Sequence, residues 1–304
     1  MKYSFLLPAY KERFLREALS SILSQSVSNF EIIVSDDASE EPIKRIVEEF
    51  RDPRIRYRRN ESNIGAKRLV EHWNLLLEQA KGDFIIIASD DDIYDRRFLI
   101  EIDKLIEKYS ELDLYRTRSQ VIDSAGGILR KEISIKPFLD FKEFCRFLAD
   151  PQCVLCIGNY AFRTESLRKN GGFVNFPYAW KSDSATEMLL ATNGLATTED
   201  ILFSFRRSGS SISSRQETEE SKKGKTEAII LFKEWSDNLF TSHGMNEESI
   251  RKDISRKLEG EIRAYVDVLP ARQFWELYKK MIREEWFYSA RNGASFLLDR
   301  LLKR

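Results

Sequence analysis

The sequence predicts an α/β fold in which a mostly parallel sheet is flanked by helices and is followed by a C-terminal helical extension. From the N-terminus to about residue 110, short apolar runs alternate with segments that have apolar residues at helical spacing. Strands joined by single helices must run parallel, with right-handed crossovers. From residue 226 onward the apolar spacing is helical throughout. These observations favour one mostly parallel sheet and a separate helical region.

The first half of the chain supplies the strands of this predicted sheet. Its apolar runs are KYSFLLP, FEIIVS, RIRYRRN and DFIIIAS, and its helical segments are 14–23, 43–50, 66–80 and 96–109. Because the strands run parallel, their carboxyl ends lie on one edge of the sheet. Ligands of open α/β sheets bind in the crevice outside that edge.

The pattern becomes mixed after residue 109. The runs DLYRTRSQVID and ILRKEIS, separated by SAGG, predict an antiparallel hairpin. Further predicted elements are a helix at 141–148, a strand at VLCIGNYAFR, a helix at 184–191 and a strand at TTEDILFSFR. Residues 206–225 have no apolar core face, which predicts a mobile loop or linker. The boundary between the two regions is therefore expected near residue 220.

Composition excludes several classes of protein. Lysine plus arginine and aspartate plus glutamate both total 49, so no overall field favours nucleic acid as a partner. The apolar runs are too short for a membrane-spanning helix, and the N-terminal one is too short for a secretory signal, which predicts a cytoplasmic protein. Only two histidines accompany Cys145, Cys153 and Cys156, so we expect these cysteines to be buried apolar residues.

Acidic residues concentrate at the predicted strand ends. The relevant segments are PAY (8–10), SDDAS (35–39) and SDDD (89–92). The consecutive Asp90, Asp91 and Asp92 repel one another, and a cation would relieve that repulsion. Carboxylate sites without histidine suit Mg²⁺ or Mn²⁺ bound together with substrate phosphates. The alternative is that these aspartates only stabilise the N-terminus of the helix at 96–109.

Two long segments resemble a known family. SFLLPAYKERFLREALSSILSQSVSNFEIIVSDDAS and NIGAKRLVEHWNLLLEQAKGDFIIIASDDD are similar to the nucleotide-binding half of family 2 glycosyltransferases, which have the GT-A fold. The resemblance extends to about residue 213. It implies a catalytic domain over 1–220, with a nucleotide-sugar half at 1–110 and an acceptor half at 111–220. Residues 221–304 form a helical region outside the shared core.

The resemblance also implies roles at the donor site. Pro8, Ala9, Tyr10 and Asp37 would line the base pocket, with Tyr10 packed on the base and Asp37 accepting the imide N–H of a uracil or thymine. Asp90 would lie near the ribose.

A divalent cation, Mn²⁺ or Mg²⁺, would be held on the diphosphate by Asp91, with Asp92 as a further candidate ligand. The sequence departs from the family pattern at two positions. Lys11 replaces the usual asparagine, and Ala88 replaces the first aspartate of the metal motif. The second change leaves open which aspartate of the trio holds the metal.

The acceptor half contains a further candidate. GGFVNFPYAWKSDSATEMLLA resembles the acceptor-side segment of the family, and Asp183 stands at the position of the general base. A carboxylate there would take the proton of the attacking hydroxyl. The alternative is that Ser182 or Asp183 only caps the helix that follows.

Arg206 stands where the family has an arginine near the donor diphosphate, and the alternative is a solvated side chain. Asn63 and Gly65 are interpreted as a turn before a helix.

The function that follows from the resemblance is inverting transfer of a sugar from a nucleotide diphosphate, with UDP expected, to a carbohydrate or lipid-linked acceptor in cell-surface polysaccharide synthesis. The alternatives are a catalytically weak nucleotide-sugar-binding protein, which Ala88 favours, and a metal-dependent nucleotidyl or phosphoryl transferase. The second alternative lacks a glycine-rich phosphate loop after the first strand. The C-terminal helices are expected to pack on the catalytic domain, form a homodimer or contact a membrane surface.

Overall fold

A computed structural model describes residues 1–209, 217–245, 247–284, 286–287 and 290–302 of the 304-residue chain. The strands are β1 Tyr3–Ala9, β2 Phe30–Asp36, β3 Ile55–Arg59, β4 Phe84–Ile87, β5 Ile93–Tyr94, β6 Leu114–Ile122, β7 Ile128–Lys131, β8 Phe138–Leu139, β9 Tyr160–Arg163 and β10 Leu195–Arg206. The helices are α1 Leu15–Leu23, α2 Ile43–Glu49, α3 Leu69–Gln79, α4 Phe98–Lys108, α5 Phe141–Ala149, α6 Thr164–Lys169, α7 Ser182–Leu190, α8 Glu219–Ser242, α9 Glu248–Ile262, α10 Ala271–Arg283 and α11 Ala290–Leu302.

Within the described residues, ten strands form one mixed sheet. Its main order is β3-β2-β1-β4-β9-β6-β10-β5, with β7 paired to β6 and β8 paired to β10. Strands β3, β2, β1 and β4 are parallel, and β9 runs antiparallel between β4 and β6. The predicted α/β class, the parallel N-terminal sheet and the β6–β7 hairpin are therefore confirmed. The ends of β1, β2 and β4 lie at one edge of the sheet, as expected.

The central strands β1, β2 and β4 are buried on both faces, and their alternate side chains point to opposite sides of the sheet. On β1, Phe5 and Leu7 join a core with the buried sides of α1, α2 and α4. Leu6 points the other way, into a core that includes Trp73 of α3 and Phe144 of α5. This second core continues without interruption into α8, α9, α10 and α11. The C-terminal helices thus pack on the sheet region through shared apolar surface, and the division near residue 220 stays a prediction.

The predicted loop at 206–225 is wrong for its last part, because α8 begins at Glu219. Thr218 Oγ1 accepts a hydrogen bond from the Ser221 N–H, and Ser221 Oγ accepts one from the Thr218 N–H, so the two residues cap the helix reciprocally. The buried Lys225 then lies 4.0 Å from the ring centre of Trp180. The rest of the predicted loop includes residues 210–216, which lie outside the described residues.

Two further sequence expectations concern composition. Cys145, Cys153 and Cys156 are unpaired and buried, which confirms their interpretation as apolar residues. Burial raises the pKa of the Cys145 and Cys153 thiols to about 12, so neither is poised as a thiolate. In the part of the chain that the structure describes, no helix combines the length and the apolar character that a bilayer crossing requires.

Candidate active site

The ends of β1 and β4 are joined by Asp90. Its Oδ2 accepts hydrogen bonds from the backbone N–H groups of Tyr10 and Lys11, at 3.0 and 2.9 Å. Burial raises the pKa of Asp90, and these two donors and the Lys11 charge oppose that rise. The Tyr10 carbonyl accepts a hydrogen bond from Ser39 Oγ at 2.6 Å, while the Tyr10 side chain is 47% exposed. Tyr10 is therefore an aromatic ring held at the sheet edge and free to pack against a ligand.

Asp91 is a half-buried carboxylate beside Asp90. Burial raises its pKa to about 6, and repulsion from Asp90 adds to this rise. Ser208 Oγ donates a hydrogen bond to Asp91 Oδ2 at 3.3 Å, and the positive charge of Lys11 acts in the opposite sense to Asp90. A positive charge at this point would stabilise the ionised carboxylate.

Asp92 faces the protein interior rather than the edge. Its Oδ1 accepts a hydrogen bond from the Arg206 N–H at 2.8 Å, and its Oδ2 accepts one from Ser89 Oγ. Burial raises its pKa to about 8, with repulsion from Asp91 as a further cause. These contacts do not support the interpretation of Asp92 as a metal ligand, because both of its oxygens are occupied by structural partners.

The described residues contain no group of three or more histidine, cysteine or acidic side chains arranged to hold a metal ion. A single carboxylate together with the phosphates of a substrate is nevertheless a normal environment for Mg²⁺ or Mn²⁺. Asp91, with its raised pKa and its acidic neighbour, fits that kind of shared site.

Arg206 is fully engaged within the protein. Its Nε donates to the Asp91 carbonyl at 2.8 Å, its Nη1 donates to the carbonyls of Asp123 and Ser124 at 3.3 and 3.4 Å, and its Nη2 pairs with Glu17 Oε2 at 2.7 Å. Its backbone N–H is also used, as described above. This geometry does not support Arg206 as a donor-binding cation; it makes Arg206 a clamp that fixes the backbone of the aspartate segment.

These contacts of Arg206 predict that its substitution lowers the stability of the fold. Arg206→Met should lower the free energy of unfolding by about 1–3 kcal/mol, because it removes the hydrogen bonds that a buried guanidinium donates to three carbonyl oxygens. Arg207 is the matched control, since its side chain is exposed and Arg207→Met should change stability little. Denaturant unfolding of the three proteins measures the difference. Equal stability of the two variants would contradict the clamp.

Asp37 organises the loop that follows β3. Its Oδ1 accepts hydrogen bonds from Asn60 Nδ2 and the Ile64 N–H, both at 2.8 Å. Its Oδ2 accepts from the Gly65 N–H at 2.9 Å and from Asn63 Nδ2 at 3.2 Å. Gly65 has φ +72°, a conformation that a side chain disfavours. The interpretation of Asn63 and Gly65 as structural agrees with these contacts. An imide N–H at Asp37 would compete with the Asn63 amide, whose contact is the longest of the four.

Pro8 and Ala9 complete the end of β1. Both belong to the strand and pair with the end of β2, and the Ala9 carbonyl accepts a hydrogen bond from the Asp37 N–H at 2.9 Å. Pro8 and Ala9 therefore contribute backbone atoms to this edge of the sheet.

Asp183 lies in the first turn of α7, on the acceptor half of the chain. Lys181, just before the helix, has φ +69°, and the Ser184 N–H donates to Asp183 Oδ1 at 2.8 Å. Burial raises the pKa of Asp183. One turn later, Glu187 is buried and neither of its carboxyl oxygens has a hydrogen-bond partner among the described residues. Burial raises the pKa of Glu187 well above its ordinary value, with repulsion from Asp183 as the next cause.

The predicted site residues thus form two groups. Tyr10, Asp90 and Asp91 are connected at the sheet edge, with Asp37 beside them. Asp183 has no hydrogen bond or ion pair to that group within the described residues. A role for both groups in one reaction is therefore a proposal.

A match to a protein-family model identifies the family of the chain. The model described as glycosyl transferase family 2 matches residues 4–171, more than half of the chain. The chain belongs to this family. The match confirms the predicted resemblance and covers the sheet edge that carries Tyr10, Asp90 and Asp91, while it ends before Asp183.

Relatives of this family 2 glycosyltransferase match it over part of their length. EpsE of Bacillus subtilis, which carries a glycosyltransferase name, is 35% identical over 41% of this chain and 45% of its own length. WfgD of Escherichia coli, named as a UDP-Glc:α-D-GlcNAc-diphosphoundecaprenol β-1,3-glucosyltransferase, is 36% identical over 30% of this chain and 35% of its own length. The chain thus spans less than half the length of these relatives.

A solved structure shows the same fold. The crystal structure of Staphylococcus aureus TarS 1–349 in complex with UDP-GlcNAc superposes with a TM-score of 0.62 at 19% identity, covering 90% of this chain and 82% of that one. The likeness confirms the GT-A architecture of this family 2 chain.

Charged residues that sequence reasoning missed lie next to the predicted site residues. In the sequence Lys11 is only a departure from the family pattern, yet its charge acts on both Asp90 and Asp91. Lys257 and Glu261 of α9 lie close enough to Asp183 to affect its pKa. Nothing in the linear sequence connects α9 with α7, since only the packing of the C-terminal helices brings them together.

Proposed function

We propose that the protein transfers a sugar from a UDP-sugar to an acceptor hydroxyl with inversion at the anomeric carbon, in the assembly of a cell-surface polysaccharide. The observation that carries the proposal is the exposed Tyr10 ring beside Asp90 and Asp91 at the carboxyl edge of a parallel sheet, in a family 2 chain. The UDP-GlcNAc of the TarS complex and the UDP-Glc and lipid diphosphate in the name of WfgD support the donor and acceptor classes.

The donor would be held mainly by β1 and β4. Tyr10 offers an aromatic face to the base, and base–aromatic stacking contributes about 1–3 kcal/mol. Asp90, already fixed by two backbone donors, would face the ribose. Asp91 would hold a divalent cation together with the diphosphate oxygens. When bound, that ion neutralises charge on the departing nucleotide.

The acceptor would be activated by Asp183. As the acceptor oxygen attacks the anomeric carbon, its proton passes to the Asp183 carboxylate. The bond between that carbon and the diphosphate oxygen breaks at the same time, and its electron pair leaves with UDP. Attack from the side opposite the leaving group inverts the configuration. The raised pKa of Asp183 makes it a stronger base than an ordinary aspartate.

Binding and turnover of candidate donors test the proposal. Thermal unfolding with UDP, GDP and a panel of nucleotide sugars, with and without Mn²⁺, identifies donors by their stabilisation of the fold. UDP release and sugar transfer are then measured with carbohydrate and lipid-diphosphate acceptors. Transfer with release of UDP supports the proposal. Metal-dependent binding without any turnover would favour a nucleotide-sugar-binding protein, and release of UMP would favour a nucleotidyl or phosphoryl transferase.

We propose in addition that α10 contacts an anionic membrane surface, where a lipid-linked acceptor would be found. One exposed stripe of the helix, at spacings of three and four residues, has two apolar side chains, Trp275 and Ile282, which are 50% and 54% exposed. The stripe carries three basic residues and one acidic residue, a net charge of +2. Its exposed members are Arg272, Trp275, Glu276, Lys279, Ile282 and Arg283. Aromatic and basic side chains on one helix face suit a lipid headgroup region.

The membrane contact predicts a loss of lipid binding on substitution. Trp275→Glu combined with Ile282→Glu should reduce partitioning onto vesicles containing anionic lipid by about tenfold or more, since apolar burial and charge attraction are both weakened. Leu75→Glu is a matched control, because Leu75 is a 41% exposed apolar residue on α3. Vesicle flotation measures the bound fraction. A concentration-dependent dimer that is broken by the double substitution, with no vesicle binding, would instead assign the face to a homodimer.

A further inference from the structure

A left-handed stretch of backbone precedes helix α7. Among the described residues, five residues other than glycine have a positive φ, and three of them are Tyr178, Ala179 and Lys181, at +60°, +54° and +69°. Such conformations are costly for residues with a side chain, and they persist only where the surrounding structure imposes them. Asp183 lies two residues after Lys181, in the first turn of α7. The segment 178–181 therefore leads directly into the proposed base.

Hydrogen bonds connect the geometry of this segment to α7. The Lys181 carbonyl accepts a hydrogen bond from the Ala185 N–H at 2.9 Å, so the first turn of the helix is built on Lys181. Ser182 Oγ accepts a hydrogen bond from the Phe176 N–H at 3.0 Å, which ties the start of α7 to the residue before the segment. A change of φ at Lys181 would therefore rotate the first turn of α7, and Asp183 would move with it.

The C-terminal helices confine the middle of the segment. The Tyr178 ring is buried against Gly224 of α8, where an added Cβ would lie 2.3 Å from Tyr178 Cε2. Lys225 of α8 lies over the Trp180 ring, with its Nζ 4.0 Å from the ring centre. Tyr265, which follows α9, packs edge-on against the same ring, with the two ring centres 6.5 Å apart. Residues of the C-terminal region thus pack against both aromatic side chains of the segment.

Glu261 of α9 holds the last residue of the segment. Its Oε1 pairs with Lys181 Nζ at 2.6 Å, and the side chains of Glu261 and Lys181 are only 23% and 12% exposed. Solvent ions screen a partly buried ion pair less than a pair at an exposed surface. The ion pair therefore connects α9 to the residue whose carbonyl begins α7.

We propose that Glu261 is a positioning residue for the glycosyl transfer: through Lys181 it holds the left-handed backbone that starts α7, and it thereby fixes the position of the Asp183 carboxylate. The inference rests on the proposed role of Asp183 as the base. It makes helices α8 and α9 a required part of the acceptor site, independently of any membrane contact.

Two substitutions at Lys181 separate the effect of the backbone from that of the side chain. Lys181→Ala and Lys181→Gly both remove the ion pair with Glu261, but only glycine adopts a positive φ without strain. Lys181→Ala should lower kcat by about tenfold or more, because a small displacement of a catalytic group is costly. Lys181→Gly should stay within about threefold of the wild-type kcat, because its backbone keeps the required conformation. UDP affinity, measured by titration, should be unchanged in both variants.

Glu261→Gln tests the same ion pair from α9. In the wild-type chain it should lower kcat by about tenfold or more, and it should have no further effect when residue 181 is already glycine. Glu234→Gln is the matched control, because it removes an ion pair with Lys280 that connects α8 and α10 without reaching α7. The inference is overturned if Glu261→Gln leaves kcat as high as Glu234→Gln does. It is also overturned if Lys181→Gly loses as much activity as Lys181→Ala.

A second pair of variants leaves both charged residues in place. Gly224→Ala places a methyl group against the buried Tyr178 ring and should lower kcat with UDP affinity unchanged. Gly260→Ala on α9 is the matched control, since an added Cβ there meets no other group within 4 Å among the described residues. Alanine favours a helix more than glycine does, so a loss in Gly224→Ala would not come from a weaker helix. Equal activity of these two variants would contradict the inference.

Asp183→Asn separates this inference from the proposed function. If that variant keeps the wild-type kcat, the assignment of the base is wrong, and the inference is wrong with it. If Asp183→Asn is inactive while the variants at 181, 224 and 261 all keep full activity, only the positioning role is wrong.

Discussion

Asp183→Asn is expected to lower kcat by about 10²–10⁴-fold, the range that a general base contributes. The amide cannot accept the proton of the acceptor hydroxyl, yet it has the same shape and its oxygen can still accept the Ser184 N–H. UDP affinity should be unchanged, because no hydrogen bond or ion pair of Asp183 reaches the donor edge within the described residues. Steady-state kinetics and UDP titration of the same preparation measure both quantities.

Glu187→Gln provides the matched control for this prediction. Glu187 lies one turn further along α7 and is buried, and burial raises its pKa well above the ordinary value, which favours the uncharged form. An amide of the same shape should therefore change kcat little. Equal losses in the two variants would show that any change in the buried part of α7 disturbs the enzyme, and the base would have to be sought elsewhere.

The pH profile of the wild-type enzyme extends the same prediction. Because burial raises the pKa of Asp183, the carboxylate is lost on acidification at a higher pH than for an exposed aspartate. Activity should consequently decline on the acid side above the ordinary aspartate range. The residual activity of Asp183→Asn should not show this decline on the acid side.

The fold could be predicted from the sequence where local periodicity decides the element. The runs around Phe5, Ile33 and Ile86 are apolar on both faces, which is the pattern of a buried parallel strand, and each became a central strand. The segment at 219–225 has a polar composition, which predicts a loop. It is helical because the cap at Thr218 and the burial of Lys225 on Trp180 favour a helix there. Neither contact has an apolar signature in the sequence.

The candidate site was predictable to the level of the strand ends, and less so for individual side chains. Parallel topology alone places Tyr10 and Asp90 at one edge. It does not determine where each carboxylate points, and Asp92 turns inward because the β10 backbone N–H of Arg206 is available to it. At the same end of β10, the Arg206 guanidinium donates hydrogen bonds to backbone carbonyl oxygens and pairs with Glu17. Orientation of this kind depends on long-range neighbours that sequence spacing does not contain.

Substitutions can distinguish the roles of Asp91 and Asp92. Asp91→Asn should lower kcat/KM by about 100-fold or more and abolish the dependence of UDP affinity on Mn²⁺, since the charge that would hold the ion beside the diphosphate is removed. Asp92→Asn should have a small effect, because an asparagine can accept from the Arg206 N–H through its oxygen and donate to Ser89 Oγ through its nitrogen.

The raised pKa of Asp92, about 8, strengthens this contrast. A carboxyl that is mostly protonated at neutral pH already resembles an amide in charge, so Asp92→Asn removes little negative charge from the edge. Asp91, with a pKa of about 6, is mostly ionised at pH 7 and supplies the charge that a cation requires. Isothermal titration of UDP at several Mn²⁺ concentrations distinguishes the two residues. If Asp92→Asn abolished the metal dependence and Asp91→Asn retained it, the carboxylate on the diphosphate would be Asp92, and the buried contacts of Asp92 would have to open when the donor binds.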